Sequence, residues 1–415
     1  MKFIGFLLIG IGLLVCQITA AQSPPPLNAN NWNFVLVPAF EHDASSNNLT
    51  VTGLNHALRF GQQLNNLLAG KQNQVRQVYA LSEDHQDMTP VESIEPYALL
   101  NNLGVKTQTL NHGDAASYNS PAYFILQIVA NHPAGTYIMA LPNDMLQPMV
   151  KALGGSSCKL PGVGQYWVAS GQSLPFSGAV FDDQIPTQHS YPSIPLPNRS
   201  ACTQNHVEFT LPAPAGLQPY LARKVYLVRH VEAHPSGNFE NGNYVCQGQW
   251  RALGANHILL EIMHNTLPDA VLTSNPGNII DGGAAYSYIR PALTVAPFAI
   301  QSRLPLTLAP FQWEDAEDLA QALFNSQSPY LAQLKGDSSI LVGWEHDHIQ
   351  KAVHYLLETM YQNPAAAKAL PNWGFDDYDT VWELSTDQTG ALKFQNTCEG
   401  IATVQLPSTC PAFFE

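Results

Sequence analysis

Short apolar runs separated by stretches of helical spacing recur along this chain, and they recur twice in the same order. Phe34 to Val37 and Val225 to Val228 are unbroken apolar runs, the signature of a strand buried on both faces. Thr52 to Leu58 resembles Gln247 to Leu253, and each leads into helical spacing, seen in the second copy at Leu253, Ile258, Leu259 and Ile262. Val78 to Ser82 and Ala270 to Ser274 then read as matching strands. Ser93-Ile94-Glu95-Pro96 echoes Tyr288-Ile289-Arg290-Pro291. A last strand in each copy ends in a polar pair, Asn143-Asp144 and His346-Asp347. Strands alternating with helices predict an α/β protein of two three-layer sandwiches, each with a mostly parallel sheet covered by helices on both faces. The shared glycine, the shared Ile-x-Pro and the shared Asp, in one order, point to a duplication.

The length of 415 residues fits two such units, residues 30–215 and 220–415, divided at the Pro-rich stretch Pro212 to Gly216. Residues 1–21 read as a signal peptide: Lys2, an apolar core from Phe3 to Val15, and small residues at Ala20 and Ala21. Cys16 opens a lipoprotein alternative, which Val15 beside it fits poorly. That core is too short for a membrane anchor, so the expected protein is periplasmic or secreted, with no stable membrane insertion. An oxidising compartment predicts disulfides. Cys398 with Cys410 is the expected pair, Cys158 with Cys202 the second, and Cys246 is left over and buried. A net charge of -14, with only 12% charged residues, argues against nucleic acid or an anionic membrane as partner. It also gives weight to each Arg near a strand end. Oligomeric state is open.

Three strand ends in the second half carry polar groups: Arg229-His230, then Arg290 downstream of Ser274, then His346-Asp347. The ends of parallel strands face one side of a sheet, so these groups can converge. Two arginines and two histidines are costly to gather without an anion. A tetrahedral phosphoryl group suits the forked donors of Arg. Taken singly, each of these residues is more often a hydrogen-bonded structural group; the ordered set carries the expectation. In the echo, the first half has Pro38, Ala39, Glu95 and Asn143 at the matching places, without cation or nucleophile. His346 and His348 together invite a metal, but Arg229 would repel a cation, and no metal or cofactor is expected.

These residues resemble the histidine phosphatase superfamily, the phosphoglycerate mutase and acid phosphatase group. There a strand leads into Arg-His-Gly, often with Glu next, followed by a second Arg and a distal His. Arg229, His230 and Glu232 match the first motif, Arg290 the second Arg and His346 the distal His, over roughly residues 222–360. Val231 departs from the family's Gly, and Ala233 stands where the phytase branch has another Arg. The resemblance implies hydrolysis of a small phosphomonoester through a phosphohistidine on His230, with Arg229, Arg290 and His346 holding the phosphoryl oxygens. Asp347 is the preferred leaving-group acid, with Glu232 and Glu345 as alternatives. Glu232, Asn238, Asn241 and Asn243 are candidate substrate contacts. The first half resembles a decayed copy. The rival expectation is a non-catalytic protein that uses the same set only to hold an anion or a partner.

Overall fold

The computed structural model describes residues 27–413 apart from 69, 71–73, 112, 114–116, 156–159, 215–221, 234–240, 281–285 and 331–336. The expected signal peptide, Cys158 and Asn238 lie outside the described residues.

In the first half, β1 (Trp32–Pro38), α1 (Val51–Leu67), β2 (Val75–Ser82), α2 (Thr89–Leu100), β3 (Val105–Thr109), α3 (Pro121–Asn131), β4 (Gly135–Leu141) and α4 (Asn143–Ala152) alternate, and β5 (Gln165–Gly171) and β6 (Ser177–Asp182) follow. The sheet order is β3-β2-β4-β1-β5-β6. After β7 (Glu208–Leu211) the second half runs β8 (Arg223–Arg229), α5 (Cys246–Gly254), α6 (Asn256–Ile262), β9 (Ala270–Thr273), α7 (Arg290–Ser302), β10 (Leu306–Leu308), α8 (Ala316–Phe324), β11 (Ser338–Trp344), α9 (His346–Tyr355), α10 (Pro364–Ala369), β12 (Thr380–Thr386) and β13 (Leu392–Cys398). Its order, β10-β9-β11-β8-β12-β13-β7, repeats the first with one strand added at the edge. That added strand, β7, precedes the Pro-rich stretch in sequence and pairs with β13.

Both sheets are mixed, where the sequence predicts mostly parallel ones. β3, β2, β4 and β1 are parallel, as are β10, β9, β11 and β8, whereas β5, β6, β12 and β13 run antiparallel to their neighbours. The reason is the connection. The links from β5 to β6 and from β12 to β13 are short turns, and a short turn can join only antiparallel strands. In the second, the Asp387 carboxylate accepts the backbone N–H groups of Thr389 and Ala391 and fixes the reversal.

The central strands are apolar on both faces because both faces are covered. Phe34 and Leu36 point to the cluster containing Ile125, Met145 and Leu146, from α3 and α4. Val35 and Val37 point the other way, toward Leu54, Ile94 and Tyr97. Val225 and Leu227 likewise meet α8 and α9, while Tyr226 and Val228 meet Leu253, Leu293 and Phe298. One cluster therefore runs through both halves, and α1, α2, α5 and α7 form a layer shared by the two sheets. Burying such side chains contributes about 1.5–3 kcal/mol each, so this common core holds the halves together as one folded body.

The disulfides differ from the expected pairing. Cys202 bonds Cys398 and Cys246 bonds Cys410, with S–S distances of 2.05 and 2.01 Å. Sequence proximity misleads here because the segment after β6 crosses to the second half and lies along the residues after β13. Ser200 N–H donates to the Gly400 carbonyl at 2.8 Å, and Arg199 Nε to that of Glu399 at 2.7 Å. The C-terminal stretch then runs past the start of α5 to α1, where Gln62 donates to the Pro411 carbonyl. Among the described residues, no helix is long and apolar enough to cross a membrane.

Candidate active site

β8 and β11 are parallel neighbours with Arg229 opposite Trp344, so both deliver their next residues to the same carboxyl end of the sheet. His230 N–H continues the ladder to the Trp344 carbonyl at 2.8 Å. Glu345 then caps α9, its side chain accepting His348 N–H at 2.9 Å, which makes His346 and Asp347 the first helical residues. α7 opens with Arg290, followed by Pro291, which suits the first turn because its missing N–H has no helical partner.

His230 is buried, and its Nδ1 lies 2.9 Å from the Val231 carbonyl. A carbonyl only accepts, so Nδ1 carries the proton and Nε2 the lone pair. Burial holds the imidazole well below its usual range, and Arg290 and Arg229 push it in the same direction. The nitrogen is therefore neutral and nucleophilic. Arg229 is fixed by the carbonyls of Gly374, Phe375 and Asp377, and its guanidinium lies 4.1 Å from the Tyr378 ring centre. Arg290 Nη1 donates to the Asn243 carbonyl at 3.3 Å, and its guanidinium lies 4.7 Å from the Tyr288 ring centre. Tyr288 and Tyr378 flank His230 with ring centroids at 6.2 and 6.0 Å. Both hydroxyls are buried, that of Tyr288 beside the Arg290 guanidinium and that of Tyr378 beside the Ala233 backbone. Burial pushes the Tyr288 phenol up to about 12, so it stays a donor.

His346 is tied to this group through Glu345 and Phe375. Its Nδ1 lies 2.5 Å from Glu345 Oε1, and its ring is 6.1 Å from that of Phe375, which also covers Arg229. Burial by itself would raise the Glu345 carboxyl, but His346 and His348 outweigh it and hold Glu345 well below the usual carboxylate range. Asp347 is mostly exposed, its Oδ1 3.5 Å from His346 Nε2.

Arg229, His230, Arg290, His346 and Asp347 thus gather at the carboxyl ends of β8 and β11. Glu232 does not join them as a free carboxylate. It is fully buried, clasped by Arg251 at 2.6 Å, and receives the Thr403 hydroxyl at 2.9 Å. Asn241 faces the first half, donating to Asn102 at 3.2 Å, and its own oxygen accepts Asn243 N–H. Neither is presented as an open substrate contact. Asn243 serves through its carbonyl on Arg290. Tyr288 and Tyr378 are not among the sequence-derived candidates; Tyr288 is signalled only by its place two residues before Arg290, and Tyr378 by nothing local. Among the described residues, Glu345, His346 and Asp347 are the group whose ligand atoms could share a metal. Glu345 already faces two histidines, and the positive charge of Arg229 acts on it as well, a setting that disfavours a cation.

At the corresponding carboxyl end of the first sheet, Pro38 and Ala39 follow the same pairing pattern. Ala39 N–H donates to the Leu141 carbonyl at 2.9 Å, as His230 does to Trp344, and Pro38 lies opposite Leu141 as Arg229 lies opposite Trp344. One correspondence needs correction. Phe40 N–H donates to Ser93 Oγ and Val231 N–H to Thr294 Oγ1, both at 3.0 Å. This register aligns Pro90 with Pro291 and Pro96 with Pro297, so Arg290 corresponds to Thr89, and Glu95 to Ala296. The shared Ile-x-Pro had shifted the sequence echo by almost two turns.

No protein-family model matches the chain, and no curated protein sequence does. Solved structures similar to it include a phosphohistidine phosphatase, a phosphoglycerate mutase and a glucosyl-3-phosphoglycerate phosphatase. A putative phosphohistidine phosphatase SixA from Agrobacterium tumefaciens is 18% identical, with a TM-score of 0.26, over 41% of this chain and 93% of that one. A phosphoglycerate mutase from Plasmodium falciparum is 16% identical, with a TM-score of 0.28, over 47% and 99%. A mycobacterial glucosyl-3-phosphoglycerate phosphatase is 14% identical, with a TM-score of 0.26, over 44% and 100%. Likeness at this level decides nothing about the chemistry of this chain, which rests on the site itself.

Proposed function

We propose that this chain is an exported phosphomonoesterase that acts through a phosphohistidine on His230. The observation that carries the reading is the state of that imidazole: Nδ1–H locked on a carbonyl, Nε2 with its lone pair, and the charges of Arg229 and Arg290 around it. Nε2 attacks phosphorus as the bond to the ester oxygen breaks, and water later cleaves the P–N bond to release phosphate. Arg229, Arg290 and His346 bind the equatorial oxygens, and the Tyr288 hydroxyl is a further donor beside them. The leaving oxygen must take a proton. Glu345 is held ionised between two histidines, and Glu232 is enclosed by Arg251. Asp347, solvent-facing beside His346, is the carboxyl left to donate.

In the same proposal the chain is a tandem duplication whose first half kept the frame and lost the chemistry, and the second unit begins before the expected division at residues 215–220, because β7 already pairs with β13. The common strand order and the paired hydrogen bonds at Ala39 and His230 support it. Two disulfides fit an oxidising compartment. The substrate is a small phosphorylated molecule. The test is hydrolysis of p-nitrophenyl phosphate between about pH 4 and 7, with and without chelator. Chelator-resistant turnover lost in His230→Ala is expected. Phosphate binding without turnover would favour an anion-binding protein, and turnover lost with chelator a metal enzyme.

A further inference from the structure

Tyr288 and Arg290 enter the site from the segment that joins β9 to α7, and the first half grips that segment. Ile279 bridges Ser287, and Tyr288 N–H donates to the Asn278 carbonyl at 2.8 Å, so residues 278–280 and 286–288 lie antiparallel. Both ends of the segment meet Thr107 on β3, the edge strand of the first sheet. Thr107 Oγ1 donates to the Pro276 carbonyl at 3.2 Å and lies 2.9 Å from Ser287 Oγ. Ser287 Oγ in turn accepts Thr107 N–H at 2.8 Å. With its proton given to Pro276, Thr107 Oγ1 accepts from the Ser287 hydroxyl, and the network closes with every group used. Ser287 N–H adds a bond to the Val105 carbonyl at 3.2 Å.

The loop on the other side of Arg290 rests on the same point. Gly242 has φ +70, and a Cβ there would stand 1.9 Å from the Ser287 carbonyl oxygen, so only glycine lets the loop seat on Ser287. The Gly242 and Asn243 carbonyls receive Arg290 N–H and Nη1.

We propose that Thr107 is a positioning residue for the phosphate site, acting through Ser287 on Tyr288 and Arg290, so that the half without the nucleophile sets the geometry of the half that has it. This rests on the phosphatase reading of the His230 site. Thr107→Val keeps shape and strand preference but removes the hydroxyl; Thr107→Ser keeps the hydroxyl. The test is titration calorimetry with inorganic phosphate, together with p-nitrophenyl phosphate kinetics and thermal melting, on the full chain and both variants. Thr107→Val weakens phosphate binding and lowers kcat/KM by about fivefold to tenfold, with melting little changed, and Thr107→Ser restores both. Wild-type phosphate affinity in folded Thr107→Val overturns the proposal. So does a loss that tracks melting and is not restored by Thr107→Ser. A wild-type chain that binds phosphate but hydrolyses no ester overturns the phosphatase reading instead, and the ratio of phosphate affinities still decides the role of Thr107.

Discussion

His56 stands in the first half where Arg251 stands in the second. His56 lies between Glu41 and Asp183, at 3.1 and 2.8 Å, and Arg251 between Glu232 and Glu399, at 2.6 and 2.7 Å. Glu41 and Glu232 each lie three residues beyond the central strand of their sheet, and Asp183 and Glu399 each follow directly on the last hairpin strand. Both halves therefore close the same corner with a cation held between carboxylates, a triplet in the first half and, with Asp379 3.4 Å from Arg251, a quartet in the second. In one the cation is permanent and in the other it titrates.

The triplet makes the stability of the first half depend on pH. Burial opposes the charge on His56, but Asp183 and Glu41 raise its pKa from 6.5 to about 9. A raised imidazole pKa adds stability that is complete below the unfolded value and is lost as pH climbs through about 9. The contribution is on the order of 3 kcal/mol. Urea unfolding of wild type and His56→Gln should differ most near pH 6 and converge near pH 10. An equal gap at both would mean that His56 is neutral in the folded chain.

Glu232 separates a structural role from a substrate contact. Its carboxylate serves Arg251, so Glu232→Gln should lower the denaturation midpoint and leave KM unchanged. Arg251→Met, which strands the carboxylates of Glu232 and Glu399 in the interior, should cost about 3–5 kcal/mol. A raised KM in folded Glu232→Gln would return this residue to the substrate.

Arg290 should act on pH dependence as well as on rate. Arg290→Gln removes a transition-state donor, so kcat/KM falls by about 10²–10³. It also removes one of the charges that keep His230 neutral. The acidic limb of the kcat/KM profile should then move to higher pH. A lower rate with an unmoved limb would place Arg290 outside the electrostatic reach of His230.

Asp347 as proton donor matters only for poor leaving groups. Asp347→Asn should slow benzyl or ethyl phosphate by about 10²-fold or more, and p-nitrophenyl phosphate by less than about tenfold. Equal losses on both would assign the proton to another group.

The placement of the cationic set was legible because Arg229-His230 and His346-Asp347 stand at the ends of apolar strands, a pattern written locally. The α/β class was legible for the same reason. The antiparallel hairpins were not, since the alternation of a strand such as Leu392–Cys398 marks a strand but not the direction in which it joins the sheet. The disulfides depend on a crossing segment that sequence distance cannot show. The fate of Glu232 depended on Arg251, 19 positions on. Tyr378 and Thr107 reach their partners only through tertiary packing.

The most direct test is to quench the protein under non-acidic conditions during turnover of a slow phosphomonoester and map the phosphate by mass spectrometry. Phosphate on His230, absent from His230→Ala, is the result expected. Turnover with no phosphate on His230, or with phosphate on another residue, would contradict the mechanism at its centre.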